Sequence, residues 1–290
     1  MSKAKINKLF IISLIIVSII FVGFIWSKSR RETRSLFSWK DSVVSEGYKE
    51  LFKVMKKLKL NTVYQSFSKR LSKEDILRFL EEAAKNNIDV YLLSGDPKWA
   101  VEEEAESMCN NIDKVLEINK GVDKDKNIKG ILYDVEPYLL EEWNKENREN
   151  IMKHFIKNMK IAYEKASDND LEVIACIPYF YDNFELLSYV KTLVSSACDK
   201  VAIMNYYKGK EYEHIKMEAD ILKEYKKSLI NIYELQPPGK YGLTDKNTYY
   251  EEGIEAVEKN FKQLKKYFHG QDISIAFHEY QSLKEVMERE

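Results

Sequence analysis

The chain has 290 residues, 44% of them hydrophobic and 32% charged, a balance that suits a folded globular domain and excludes a disordered one. Its 46 basic and 47 acidic residues are interspersed and leave a formal charge of -1, so no basic stripe faces a phosphate backbone and nucleic acid is not an expected partner. Cys109, Cys176 and Cys198 stand far apart without CxxC spacing and read as buried thiols.

At the N-terminus, Lys3, Lys5 and Lys8 precede an uncharged apolar run over 9–26, long enough to span a bilayer. A cleaved signal peptide has a shorter apolar core and a small-residue site, which the residues after Gly23 do not supply. The expectation is therefore a cytoplasmic tail over 1–8, a single-pass signal-anchor transmembrane helix over 9–26, a linker over 27–34 and one domain over 35–290 held at the cell membrane. Lys28, Arg30, Arg31 and Arg34 balance the lysines before the span, so the expected extracellular placement rests on the chemistry described below.

After the linker one pattern repeats: a compact β-branched or aromatic run, a polar turn, then a longer amphipathic stretch rich in Lys, Glu and Leu. Strands are expected at 35–39, 61–66, 89–93, 129–134, 172–177, 200–205, 230–233 and 273–277. Between them come helices, such as 151–165, where Ile151, Phe155, Met159 and Tyr163 recur four apart on one face. Alternating strands and helices pair in parallel, and eight such units close a (β/α)8 TIM barrel. An open doubly wound sheet normally carries a Gly-rich phosphate turn after its first strand; here Trp39-Lys40-Asp41-Ser42 follows, with no GxGxxG or GxxxxGK[ST] anywhere. The stretch 236–250, with Pro237, Pro238, Gly239 and Gly242, is the longest turn-like segment and belongs on the rim after strand seven.

Catalytic groups of such barrels sit where strands end. Those ends here offer Trp39, Gln65, Asp96, Asp134, Glu136, Tyr179, Tyr181, Met204, Asn205, Tyr206, Glu234 and Glu279. Carboxylates, aromatics and amides suit sugars, whose apolar faces stack on rings while their hydroxyls meet the polar groups. Strand side chains alternate, so Leu132, Asp134 and Glu136 point the same way, into the mouth. Two acids held together in a partly desolvated site cannot both ionise easily, which keeps one protonated as a general acid.

The stretch Gly130-Ile131-Leu132-Tyr133-Asp134-Val135-Glu136 resembles the fourth-strand signature of family 18 glycoside hydrolases, the chitinases and their relatives, which reads DGxDxDxE. Met204-Asn205-Tyr206 is similar to that family's sixth strand, M-x-Y-D. The resemblance implies hydrolysis of a polysaccharide containing N-acetylhexosamine: Glu136 protonates the glycosidic oxygen, Asp134 orients the substrate's acetamido group, whose oxygen attacks the anomeric carbon, and Tyr206 steadies it. Lys129, Leu132 and Tyr207 stand where the family has aspartates. A weaker resemblance, of Val135-Glu136-Pro137 to the Asn-Glu-Pro motif of a large clan of retaining glycosidases, implies instead Glu136 as acid/base and Glu234 as nucleophile, about 5 to 5.5 Å apart. A third reading is a glycan-binding barrel without catalysis.

Trp39, Gln65, Asp96, Tyr179, Tyr181, Met204, Asn205 and Glu279 are the expected substrate contacts, and His278 reads as a hydrogen-bonded packing residue. The four histidines show no HxH or HExxH spacing, so no metal is expected, and no organic cofactor is implied.

Overall fold

The computed structural model describes residues 32–290. Eight strands, β1 (Arg34–Ser38), β2 (Thr62–Gln65), β3 (Asp89–Ser94), β4 (Ile128–Tyr133), β5 (Glu172–Pro178), β6 (Lys200–Met204), β7 (Ser228–Glu234) and β8 (Ile273–His278), pair in sequence order. All pairs are parallel, and β1 closes on β8 with Arg34 beside Ile275 and Leu36 beside Phe277. The strands follow the expected ones within about two residues, because each carries the β-branched and aromatic run that a doubly covered parallel strand needs.

Each strand is followed by a helix: α1 (Tyr48–Lys57), α2 (Lys73–Lys85), α3 (Glu106–Asn119), α4 (Arg148–Ser167), α5 (Leu187–Ser196), α6 (Glu211–Glu224), α7 (Gly253–Tyr267) and α8 (Tyr280–Arg289). Their spacing of apolar residues decides which face turns inward. In α1, Leu51, Phe52, Val54 and Met55 are buried while its lysines face water. Two helix starts are capped by side chains: Ser72 accepts from Asp75 N at α2, and Glu279 accepts from Gln281 N and Ser282 N at α8.

The membrane reading is corrected here. No helix among the described residues is long and apolar enough to cross a membrane, and the expected span over 9–26 lies outside the described residues. Helices α1, α2 and α7 are two-faced, apolar toward the strands and charged on the other side. The single-pass anchor, the membrane as a partner and the extracellular placement are not carried forward.

Two apolar layers result. One lies between strands and helices. The other fills the barrel's interior with Phe37, Tyr64, Tyr91, Leu93, Leu132, Ile174, Cys176, Ala202, Met204, Ile230, Ile232 and Ala276, at alternate positions along the strands. Each fully buried Leu or Ile here contributes roughly 1.5–3 kcal/mol. Lys200 Nζ and Tyr91 Oη both donate to Glu172, at 2.6 Å each.

One contact fixes the strand that carries the two acids. Asp134 N donates to Ser94 O at 2.9 Å, and a Cβ on Gly95 would lie 1.9 Å from Asp134 O. Only glycine lets β3 and the end of β4 approach this closely. Gly95→Ala should therefore cost roughly 1–3 kcal/mol in urea unfolding, because backbone rather than a flexible side chain must give way; an unchanged midpoint would contradict this close approach.

Candidate active site

Continuing the interior alternation to the strand ends and just past them brings the chemistry to the mouth. Leu132 leads to Asp134 and Glu136, Ile232 to Glu234, Ala276 to His278, Met204 to Tyr206 and Phe37 to Trp39. Contacts join four of them around His278. His278 Nδ1 lies 2.8 Å from Glu234 Oε2, Trp39 Nε1 lies 3.4 Å from His278 Nε2, and the Tyr206 and His278 rings are 6.0 Å apart.

Glu136 owes its surroundings to the turn that follows it. Pro137 starts a short helical turn, Pro137–Leu139, in which Leu139 N donates to Glu136 O at 3.0 Å. The turn folds Tyr138 back, so that its hydroxyl donates to Glu136 Oε2. Burial pushes the Glu136 carboxyl up to about 7, and the neighbouring Asp134 charge adds to the push; the Tyr138 hydrogen bond and His278 oppose it without cancelling it. A carboxylic acid at that position can hold its proton near neutral pH and give it up to a leaving oxygen.

Asp134 is also raised, first by burial, while the Cys176 thiol and His278 pull in the opposite direction. Its Oδ1 is buried with no hydrogen-bond partner, as is the hydroxyl of Tyr181. Buried polar atoms are ordinarily paired, so two unpaired ones near the acids are exceptions to the ordinary pairing. The Tyr206 hydroxyl is raised by burial first, and then by Glu234, Cys176, Asp134 and Glu136, which places it within the field of all three acids.

Glu234 is differently engaged. Its Oε1 accepts from Leu235 N at 2.9 Å and Gln236 N at 2.8 Å, and its Oε2 faces the His278 ring. A carboxylate already satisfied by three donors is a weak nucleophile, and what it does here is orient an imidazole. In the neutral imidazole, with Nδ1–H directed at Glu234, His278 Nε2 is left as the acceptor for the Trp39 indole. Burial draws the His278 imidazolium down, but Glu234, with smaller help from Asp134 and Glu279, outweighs it and leaves the group raised.

The remaining expected contacts divide. Met204 lines the interior, and Tyr181 is buried beside Tyr138, with ring centroids 6.4 Å apart. Trp39 is exposed at the rim; Asp96 is exposed there too, and it accepts from Lys98 N at 2.9 Å. Tyr179 stacks on His214, centroids 4.4 Å apart and nearly parallel. Three expected contacts are corrected in their placement. Gln65 and Asn205 sit one position out of phase with Tyr64 and Met204, so they face the layer between strands and helices. There Gln65 donates to Ser66 O at 2.7 Å, and Asn205 to Glu211 O at 2.9 Å and Asn231 Oδ1 at 2.8 Å. Glu279 turns to cap α8.

Three members of the mouth were not expected to function: His278, Cys176 and Tyr138. Only His278 had a legible signal, since it stands two residues past Ala276 on the inward side. Among the described residues, no group of three or more His, Cys, Asp or Glu side chains could hold a metal ion.

No protein-family model matches the sequence, and no curated protein matches it either. Solved structures do match. A chitinase from Bacteroides thetaiotaomicron aligns at 12% identity with a TM-score of 0.54, over 86% of this chain and 90% of that one. A GH18 chitinase from Pseudoalteromonas aurantia aligns at 8% identity and 0.52, over 88% and 99%. A D-psicose 3-epimerase from Clostridium cellulolyticum H10 aligns at 11% identity and 0.51, over 84% of each. The fold thus resembles several glycoside hydrolases and is shared by an epimerase; at such identities the likeness shows architecture alone.

Proposed function

We propose that this chain is a glycoside hydrolase acting on a polysaccharide that contains N-acetylhexosamine. The observation that carries the reading is the raised Glu136 carboxyl beside Asp134, in the mouth of a barrel, with an unpartnered aspartate oxygen next to it. Glu136 donates its proton to the glycosidic oxygen as the bond to the anomeric carbon breaks. The substrate's acetamido oxygen forms the new bond to that carbon, while Asp134 accepts from the acetamido N–H and Tyr206 donates to the oxygen's side of the group. Water then attacks the anomeric carbon as its bond to the acetamido oxygen breaks, Glu136 takes the water's proton, and the anomeric configuration is retained.

In family 18 a carboxylate stands where this chain has Leu132. The Cys176 thiol, on the adjacent strand, supplies a polar neighbour in its place and draws the Asp134 carboxyl down against the effect of burial. The engagement of Glu234 disfavours the double-displacement route.

The test is release of reducing ends from soluble N-acetylglucosamine and N-acetylgalactosamine polymers, with glucose polymers as the control. Release from one of the N-acetylated polymers is expected, and release from none would leave the binding-module reading in its place. Glu234→Gln distinguishes the routes. It should lower turnover far less than the roughly 10²–10⁴-fold loss that follows removal of an acid/base group. It should also lower the titration midpoint of His278 in imidazole NMR, because burial then acts without the opposing carboxylate. A loss equal to that of Glu136→Gln would restore Glu234 as the nucleophile.

A further inference from the structure

Tyr241 stands out from every other side chain on the rim. It is 86% exposed, the most exposed of the large hydrophobic residues described, and its backbone is left-handed, with φ 51° and ψ 31°. L-residues with a bulky side chain rarely adopt this region, where glycine is the ordinary occupant. Most of the other positive-φ residues described other than glycine follow the ends of α-helices, as Lys59, Asn87, Asp170 and Lys226 do, where that conformation closes the last turn. Tyr241 ends no α-helix and is the one aromatic among them. Burial of the ring does not offset the strain, because so little of it is covered.

The loop that carries it is nonetheless well tied. Gly239 N donates to Leu243 O at 2.7 Å, Lys208 N to Lys246 O at 2.7 Å and Tyr249 N to Glu234 O at 2.9 Å. Asn247 Nδ2 donates to Tyr206 O at 2.8 Å. The segment is therefore bonded directly to the backbones of two residues of the candidate site. Lys240 Nζ lies 5.6 Å from the Tyr241 ring centroid, on a ring otherwise open to the outside.

We infer that Tyr241 is a stacking platform for a polysaccharide chain passing over the rim outside the mouth. An aromatic face held outward on an anchored loop matches the apolar face of a pyranose ring, and a bulky residue kept in a strained conformation without burial of its side chain points to function. The inference rests on the hydrolase reading for the class of ligand, but its test needs no hydrolysis.

Retention of purified protein in native gels containing soluble glycol chitin, with hydroxyethyl cellulose as a second probe, is compared in a Glu136→Gln background. Adding Tyr241→Gly should weaken retention by roughly three- to tenfold, the scale of one aromatic contact. Tyr241→Phe should restore it, and thermal unfolding should occur at the same or a higher temperature in the glycine variant, because the strain is gone. Equal retention of the glycine and tyrosine proteins, a phenylalanine variant as weak as the glycine one, or no retention of any variant by either polymer would overturn the platform. Release of reducing ends from short N-acetylated oligosaccharides by the unmodified protein judges the hydrolase reading separately.

Discussion

Glu136→Gln is expected to lower release of reducing ends by roughly 10²–10⁴-fold, the range for loss of a general acid. The amide keeps the size of the side chain but carries no proton of suitable acidity. Folding should improve at the same time. In the native state the carboxyl titrates at about 7, well above its ordinary range, so between these values the native protein holds a proton that the unfolded chain has lost. Stability of the wild type therefore falls as pH rises through this window, and the variant has no such dependence at this position. The unfolding temperatures should coincide near pH 4 and separate in favour of Glu136→Gln by pH 8. Equal activity, or a variant less stable at pH 8, would remove Glu136 from the acid's role.

The second large effect is expected for Asp134→Asn. Loss of the carboxylate proposed to receive the acetamido N–H should cost roughly 10²–10³-fold in turnover, comparable to deleting one group that stabilises developing charge. The change also has a signature that simple damage would not produce. Burial is the first cause of the high Glu136 value and the Asp134 charge the second, so removing that charge should move the falling limb of the pH–rate profile to lower pH without restoring an ordinary carboxylate. A profile that keeps its alkaline limb while losing height would mean that the two acids do not share charge.

Much of the architecture was legible because it is local. Each strand declared itself by a β-branched run such as Val173-Ile174, each helix by spacing such as Ile151 to Phe155, and eight repeats leave few ways to close a parallel sheet. The inward direction of Asp134 and Glu136 followed from the same two-residue period. That period also explains the misplaced contacts. Position near the strand ends makes Gln65 and Asn205 look like ligands, although they are out of phase with Tyr64 and Met204. Glu279 begins a helix, where a carboxylate satisfies free N–H groups, and capping took precedence over the mouth.

What was not legible depends on residues distant in sequence. His278 is separated from Glu234 by a helix and a loop, and nothing local announces their 2.8 Å contact. Cys176 reads as a core thiol until the adjoining strand sets it against Asp134. Tyr138 becomes a partner of Glu136 only through the turn that Pro137 begins. The N-terminal run was the plainest feature of the sequence and the one on which the described barrel offers no support.

The proton held by Glu136 is what makes this side chain a general acid. Carbon-13 titration of the glutamate side-chain carboxyls, with the Glu136→Gln spectrum assigning the resonance by its loss, measures that proton directly. A midpoint at about 7 is predicted; a midpoint near the ordinary value of roughly 4.3 would contradict it.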